Sequence, residues 1–186
     1  MKNYFDLSGQ VAVVTGCSTG LGVQMAKALA NQGAKIVAIA RRKEMIDKVA
    51  ADLAAEFGVE TLAVQCDITD TAKVEAAVDE IMAKLGRIDI LINNAGTGAV
   101  APAEDITDDQ LNHEMNVDLG GTFKMARAVA KKAMLPAKYG RIINIASMYG
   151  LVGNKICGSA PYHAAKGAVV NLTRALAAEW SSKGIN

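Results

Sequence analysis

Short apolar runs alternate with longer amphipathic segments along almost the whole of this 186-residue chain. Short apolar runs are typical of buried strands, and apolar residues at helical spacing indicate helices between them. Strands that alternate with helices need crossover connections, which make the strands parallel and put helices on both faces. The sequence therefore predicts the α/β class, with one parallel sheet between two layers of helices and a single domain over residues 1–186. The predicted strands are 11–15, 35–40, 61–66, 88–92 and 141–146, and the predicted helices are 21–32, 44–57, 71–85, 108–117, 122–135 and 162–182.

Composition excludes several classes of partner. Twenty basic and 19 acidic residues give a net charge of +1, so no basic surplus points to nucleic acid. The apolar runs are too short to cross a bilayer, so no membrane partner is expected. Cys17, Cys66 and Cys157 are scattered and show neither a disulfide framework nor metal-ligand spacing. We expect a cytoplasmic protein without a metal, with small molecules as ligands.

A glycine-rich turn joins the first predicted strand to the first predicted helix. It reads Thr-Gly-Cys-Ser-Thr-Gly-Leu-Gly over residues 15–22. Glycines let a pyrophosphate approach the backbone, and the helix N-terminus offers free N–H groups with partial positive charge. An ordinary tight turn is the alternative, since the spacing differs from G-x-G-x-x-G. The position between strand and helix favours a dinucleotide site with Gly16, Ser18, Thr19, Gly20 and Leu21 as contacts.

The end of the second predicted strand indicates which dinucleotide binds. A carboxylate there would hydrogen-bond the 2′-hydroxyl of NAD, but this chain has Ala40 followed by Arg41 and Arg42. Two guanidinium groups suit a 2′-phosphate, which NADP carries. The alternative is a pair of surface arginines at the start of a helix. The sequence favours NADP over NAD.

Polar residues also follow the third and fourth predicted strands. Asp67, with Ile68 after it, could accept a hydrogen bond from an adenine amino group or could equally cap the next helix. The sequence Asn-Asn-Ala-Gly over residues 93–96 follows the fourth strand, where the nicotinamide half should lie. Its alternative is a loop stabilised by asparagine side chains. Asp67, Ile68, Asn94, Ala95 and Gly96 are therefore candidate cofactor contacts.

Tyr162 lies four residues before Lys166 on a predicted helix, so both side chains share one face. An ammonium group beside a phenol favours the ionised phenol, which can then pass a proton in both directions near neutral pH. Ser147 follows the fifth predicted strand and could bind the same substrate oxygen. Each residue alone is weak evidence, because Ser147 could cap a turn and the pair could be a half-buried ring beside a solvated amine. Together with a dinucleotide site, they indicate proton transfer on an alcohol while hydride moves elsewhere.

These residues resemble the motifs of the short-chain dehydrogenase/reductase family, of the compact single-domain type. The matches occur in the family's order and cover almost the whole chain. They are Thr15-Gly16-x-x-x-Gly20-x-Gly22, Asp67, Asn93-Asn94-Ala95-Gly96, Asn116, Ser147 and Tyr162-x-x-x-Lys166.

The resemblance implies a doubly wound, Rossmann-like parallel sheet in three α/β/α layers, and it implies a role for four residues. Tyr162 would be the acid/base, Lys166 would acidify it and hold the nicotinamide ribose, and Ser147 would bind the substrate oxygen. Asn116 would help to hold a water in a proton relay behind Lys166, although from the residues alone it is a helix polar group bonding the backbone. The resemblance also implies that helices 122–135 and 162–182 pack across a subunit interface in a homodimer or homotetramer.

The expected reaction is hydride transfer between NADP(H) and a secondary alcohol or ketone. The pattern is most similar to polyol and sugar-acid dehydrogenases of the gluconate 5-dehydrogenase type, then to 3-oxoacyl-[acyl carrier protein] reductases and hydroxysteroid dehydrogenases. Tyr149 and Asn154, in the loop after Ser147, could contact substrate hydroxyls or serve the loop itself. A rival interpretation is an NADP-binding sensor or scaffold without turnover.

Two departures from the family accompany the resemblance. The spacing from Ser147 to Tyr162 is slightly longer than is common, which lengthens a loop where insertions cost little. The family also continues beyond the position of Asn186 with a substrate loop and two strands. We therefore expect that the C-terminal strands are missing, so that the chain is a fragment of a longer protein or is poorly active as it stands.

Overall fold

Five parallel strands form the central sheet of the computed structural model, which describes residues 4–155 and 158–186. They follow the spatial order β3-β2-β1-β4-β5, and each neighbouring pair is parallel. The order reverses between β1 and β4, as in a doubly wound sheet, so the predicted fold class is confirmed. The strands are β1 Val11–Thr15, β2 Lys35–Ala40, β3 Thr61–Gln65, β4 Ile90–Asn93 and β5 Arg141–Asn144.

The helices between the strands agree with the sequence pattern except after β4. There the predicted break between residues 117 and 122 is wrong, because the chain continues helically through Gly120 and Gly121 with wider π-type turns. The bounds up to this region are α1 Gly20–Asn31, α2 Lys43–Phe57, α3 Thr71–Leu85 and a 3-10 turn at Ala103–Asp105. The continuous stretch comprises α4 Asp108–Glu114, a first π segment Met115–Gly121, α5 Thr122–Val129, a second π segment Ala130–Met134 and α6 Leu135–Ala137. After β5 come a 3-10 turn at Met148–Gly150, α7 Ala160–Trp180 and a 3-10 turn at Ser181–Lys183.

The core lies on both faces of the sheet. Along β1, Val11 and Val13 point into one apolar cluster, while Ala12 and Val14 point into the other, and all four are fully buried. The first cluster includes residues of α3, α5 and α7, and the second includes residues of α1 and α2. Two covered faces give the three layers, and they leave the carboxyl edge of the strands open for polar loops.

The chain returns to the sheet after α7. Ile185 pairs with Gly140 in a parallel bridge beside β5, and the amide of Ile142 donates to the carbonyl of Asn186 at 2.8 Å. The residues after α7 therefore begin to pair along the outer edge of β5. In the parts of the chain that the structure describes, none of the helices combines the length and apolar character needed to cross a membrane.

Candidate active site

A cavity of 480 Å³ opens at the carboxyl edge of the sheet, beside the point where the strand order reverses. Ligands of open α/β sheets bind at such a switch point. Ten of the predicted cofactor contacts line it: Gly16, Ser18, Thr19, Arg41, Arg42, Asp67, Ile68, Asn94, Ala95 and Gly96. The cavity also has lining residues that are not among the predicted cofactor contacts: Ile39, Ala40, Cys66, Thr69, Thr97, His113 and Val117.

The glycine-rich turn forms one wall of this cavity. Gly16 has a φ of 66°, and a Cβ there would lie 2.8 Å from the Cα of Ala95. Thr19 precedes α1 without a side-chain cap, and the first turn of α1 has no acidic residue, so its N–H groups stay available to an anion. Gly20 and Leu21 begin α1 but do not line the cavity, and Leu21 is 66% exposed.

Two arginines follow the last residue of β2. Arg41 and Arg42 are exposed and line the cavity, and Nη2 of Arg42 donates to Oγ of Ser18 at 2.9 Å. This contact ties the arginine pair to the glycine-rich turn. Ala40, the last residue of β2, supplies no carboxylate that would repel a phosphate.

Asp67 closes its own loop and does not cap α3. Its Oδ1 accepts from the amide of Thr69 at 3.0 Å and from the Thr69 hydroxyl at 2.7 Å. Burial opposes ionisation of Asp67, but these hydrogen bonds and the charge of Arg41 outweigh it and lower its pKa. The cap of α3 is Asp70, which accepts from the amides of Ala72 and Lys73. Ile68, beside Asp67, is 7% exposed and contributes apolar wall.

The loop after β4 is fastened to β1. Nδ2 of Asn94 donates to the carbonyl of Thr15 at 3.0 Å, and Oγ1 of Thr15 accepts from the amides of Asn94 and Ala95, both at 3.0 Å. The loop-stabilising interpretation is therefore correct for the Asn94 side chain. Gly96 follows, and a Cβ there would lie 3.4 Å from Nζ of Lys166. The lysine thus reaches the wall of the cavity.

The structure brings Tyr162, Lys166 and the Ser147 turn together. Nζ of Lys166 lies 5.5 Å from the centroid of the Tyr162 ring and donates to the carbonyl of Ile145 at 3.0 Å. The Tyr149 ring packs edge-on against Tyr162 with centroids 6.4 Å apart, and Oγ of Ser147 accepts from the Tyr149 amide at 3.2 Å. Ile145 and Tyr149, on either side of Ser147 in the sequence, therefore both contact the face of α7 that carries Tyr162 and Lys166. The Ser147 hydroxyl also caps the 3-10 turn that follows it.

Asn116 is not part of this cluster. Its side chain is exposed, and its Oδ1 accepts from Nζ of Lys124 at 3.0 Å. The residue that faces Lys166 is Asp118, which is fully buried, with its Oδ1 2.9 Å from the lysine Nζ. The structure therefore does not bring the predicted Asn116 side chain to Lys166, since the helix turns this residue outward and Asp118 inward. A sequence signal existed: Asp118 lies four residues after Glu114 and four before Thr122, and all three are buried on one helix face.

Glu114 is a second functional candidate that sequence reasoning missed. It is 1% exposed, and its Oε2 accepts from the amide of Ala99 at 3.0 Å. Burial raises its pKa, and the nearby charge of Asp118 raises it further, against the effects of the Ala99 amide, His113 and Lys166. In the loop after Ser147, Nδ2 of Asn154 donates to the hydroxyl of Tyr149 at 3.1 Å, so these two side chains stabilise the loop through each other.

Several known proteins are similar to this chain in both sequence and fold. A family model described as short chain dehydrogenase matches residues 10–186. D-threitol dehydrogenase of Mycolicibacterium smegmatis is 40% identical over 181 residues, which are 97% of this chain and 68% of that protein. The crystal structure of gluconate 5-dehydrogenase from Burkholderia cenocepacia in complex with NADP and tartrate has a TM-score of 0.92 and 38% identity, over 98% of this chain and 70% of that chain. The crystal structure of NAD+-bound xylitol dehydrogenase has a TM-score of 0.92 and 34% identity, and the match covers 99% of this chain and 69% of that chain.

The chain belongs to the short-chain dehydrogenase/reductase family. It is an oxidoreductase that acts on alcohol and ketone groups and uses a nicotinamide dinucleotide, NAD or NADP.

Proposed function

We propose that the protein catalyses the reversible, NADP(H)-linked oxidation of a secondary alcohol to a ketone, with a polyol or a sugar acid as substrate. The observation that carries this proposal is the position of Lys166. Its ammonium group lies 5.5 Å from the Tyr162 ring centroid and reaches the cavity wall at Gly96, so proton transfer and dinucleotide binding meet at one place.

The cavity residues fit a dinucleotide. The uncapped N-terminus of α1 and the close backbone approach at Gly16 suit a pyrophosphate, and Arg41 and Arg42 suit a 2′-phosphate. Asp67 faces the cavity as a carboxylate that can accept from an adenine amino group. Gly20 and Leu21, at the start of α1, would contribute through their backbone amides. The bound dinucleotide would accept or supply the hydride.

The chain's own residues would handle the proton. Tyr162 donates its phenolic proton to the substrate oxygen during ketone reduction and takes it back during alcohol oxidation. Ser147 donates a hydrogen bond to the same oxygen and holds it against Tyr162. Lys166 favours the ionised phenol through its charge, and its donation to the carbonyl of Ile145 fixes its position.

Substitution of Tyr162 tests the catalytic assignment. Tyr162→Phe removes the transferable proton and should lower kcat by roughly 100- to 10,000-fold while leaving NADPH affinity unchanged. Parental rates in Tyr162→Phe would refute the assignment. If neither protein oxidises NADPH with any ketone although both bind it, the rival sensor or scaffold function is favoured instead.

The arginine pair supports NADP over NAD. We expect Arg41→Ala and Arg42→Ala each to weaken NADPH binding by roughly tenfold or more, because each removes a charge-assisted contact to phosphate, and to leave NADH binding unchanged. Lys84→Ala is a matched control, since Lys84 is an exposed cation at the opposite end of the sheet, paired with Glu80. Equal losses for NADPH and NADH would contradict the assigned preference.

The relatives support the substrate class. Their names give D-threitol and xylitol, which are polyols, and gluconate, which is a sugar acid. A comparison of kcat/KM over polyols, sugar acids, 3-oxoacyl thioesters and hydroxysteroids tests this proposal. A clear preference for a thioester or a steroid would replace it.

The proposal includes assembly and location. We propose a homodimer or homotetramer through α5 and α7, which light scattering would measure, and a cytoplasmic location. The buried free thiols of Cys17 and Cys66 support a reducing environment, and burial raises the pKa of Cys17 to about 12 and that of Cys66 to about 11.

A further inference from the structure

Two buried carboxylates lie one helical turn apart behind Lys166. Glu114 ends α4, and Asp118 follows four residues later in the first π segment, so both occupy the same helix face. Glu114 is 1% exposed, Asp118 is 0% exposed and Lys166 is 5% exposed. A carboxylate is costly to bury unless it is paired or protonated, so the state of each group has consequences for the site.

Each carboxylate uses one oxygen to hold the loop after β4. Oδ2 of Asp118 accepts from the Thr97 amide at 2.9 Å, and Oε2 of Glu114 accepts from the Ala99 amide at 3.0 Å. The remaining oxygens differ. Among the residues that the structure describes, neither oxygen has a hydrogen bond of good geometry, but Oδ1 of Asp118 lies 2.9 Å from Nζ of Lys166 in an ion pair, whereas Oε1 of Glu114 is buried without one.

One ammonium group therefore serves two acids. If both carboxylates were ionised, the buried cluster with Lys166 would carry a net negative charge and one oxygen without a partner. A proton on Glu114 removes the net charge and leaves the Asp118–Lys166 ion pair neutral as a whole. The raised pKa of Glu114, caused first by burial and then by the charge of Asp118, agrees with this arrangement.

We propose that Glu114 and Asp118 form a buried acidic pair that holds a single negative charge on Asp118, and that this charge sets the pH range in which Tyr162 exchanges its proton. The inference deepens the proposed function and rests on it. Lys166 alone would favour the phenolate strongly, and Asp118 offsets this effect by neutralising the ammonium group. Asp118 is thus a positioning residue that acts through Lys166.

Within residues 4–155 and 158–186, few other titratable groups surround this pair. Lys166 and Tyr162 face it from α7, Tyr149 contacts Tyr162 from the 3-10 turn, and His113 acts on Glu114 from its own helix. The loop at residues 94–99 covers the pair and contains no titratable side chain. The charge of Asp118 is therefore the main negative charge that opposes Lys166 near the phenol.

Asp118→Asn tests the proposal, because it removes the charge and keeps an acceptor for the Thr97 amide. We expect the acid limb of the kcat/KM profile for alcohol oxidation to move by roughly one pH unit toward lower pH. In the protein without cofactor, NMR of ring-labelled tyrosine should show the titration of Tyr162 displaced by the same amount. The Tyr162 signal is assigned by its loss in Tyr162→Phe. If Tyr162 titrates at the same pH in Asp118→Asn as in the parent protein, the proposal is overturned.

Glu114→Gln tests which of the two acids carries the negative charge. If Glu114 is protonated, this variant exchanges one neutral group for another, and the tyrosine titration stays at the parental position. A displacement equal to that of Asp118→Asn would show that Glu114 is ionised and would overturn the assignment of the charge. Carboxyl-carbon NMR gives a direct check, because Glu114 must titrate above the ordinary range of glutamate, and an ordinary titration would contradict the proposal.

Asp89→Asn is the matched control. Asp89 is also a buried, ion-paired carboxylate, 3% exposed and bonded twice to the guanidinium of Arg87, but it lies at the opposite end of β4. We expect the Tyr162 titration to be unaffected, and a displacement as large as that of Asp118→Asn would overturn the local explanation. The NMR titration needs no turnover, so it tests the acidic pair even if the proposed reaction fails.

Discussion

The ion pair between Lys166 and Asp118 predicts a large and specific loss of stability in Lys166→Met. The two groups are 5% and 0% exposed and lie 2.9 Å apart, so the substitution leaves a buried carboxylate whose charge is uncompensated. Breaking one partner of such a pair costs about 3–5 kcal/mol. For a domain of this size the loss corresponds to a decrease in Tm of roughly 10 °C.

The double variant Asp118→Asn/Lys166→Met separates this charge effect from lost packing. It has no buried carboxylate at this position, so we expect it to recover about 2 kcal/mol or more of what Lys166→Met loses. Urea unfolding of the parent, both single variants and the double variant completes the cycle, provided that two probes give coincident transitions.

The pH dependence gives a second check with a defined sign. In Lys166→Met, folding buries Asp118 without its cation, so the folded state binds a proton more readily than the unfolded state. The free energy of unfolding should then decrease as pH rises from acid toward neutral, compared with the double variant. If Lys166→Met and the double variant agree within about 0.5 kcal/mol at neutral pH, the reasoning about the buried pair is refuted.

Three further predictions concern the rest of the site. Asp70→Ala removes a cap that accepts from the Ala72 amide at 2.9 Å, so we expect about 1 kcal/mol of destabilisation in urea unfolding, and a loss near zero would contradict the capping role. Gly16→Ala would place a Cβ 2.8 Å from the Cα of Ala95 at a φ of 66°, so it should destabilise the fold by about 1–3 kcal/mol and weaken dinucleotide binding in a fluorescence titration. Because the pKa of Glu114 is raised by folding, its contribution to stability is present at low pH and is lost as pH rises through the folded value. Relative to the parent, Glu114→Gln should therefore become more stable with rising pH in urea unfolding, and a difference independent of pH would be evidence against a protonated Glu114.

Much of the fold could be predicted because its signals are local. Strands β1 and β2 have the predicted bounds, since a strand buried on both faces reads as a nearly continuous apolar run that stands out from the turns around it. The grouping of Tyr162 with Lys166 also followed from spacing on a single helix. The position of the Ser147 turn against that helix required the tertiary structure, because nothing local specifies the path of the loop between them.

The acidic pair could not be found by residue type. Asn116 and Asp118 are both polar and two residues apart, and the resemblance favoured the asparagine. In the structure Asp118 is buried and Asn116 is exposed, because Asp118 continues the buried helix face of Glu114 while Asn116 points outward to Lys124. The π-type turns from Met115 to Gly121 also change the angle between successive side chains, so ordinary helical spacing alone does not specify which residue faces Lys166.

The acidic pair combines a charge with a mechanical function, and the two can be separated only with isosteric substitutions. The loop after β4 is held by Thr15 through the amide of Ala95, by Asp118 through the amide of Thr97 and by Glu114 through the amide of Ala99. An alanine at position 114 or 118 would release a buried N–H, and at position 118 it would also remove a charge, while that loop forms part of the cavity wall. Loss of activity in an alanine variant would therefore say nothing about proton transfer. Asparagine at position 118 keeps the acceptor for the loop and removes the charge, whereas glutamine at position 114 keeps the acceptor and replaces one neutral group with another. A shift in the pH profile that only the asparagine causes therefore reports the charge of Asp118.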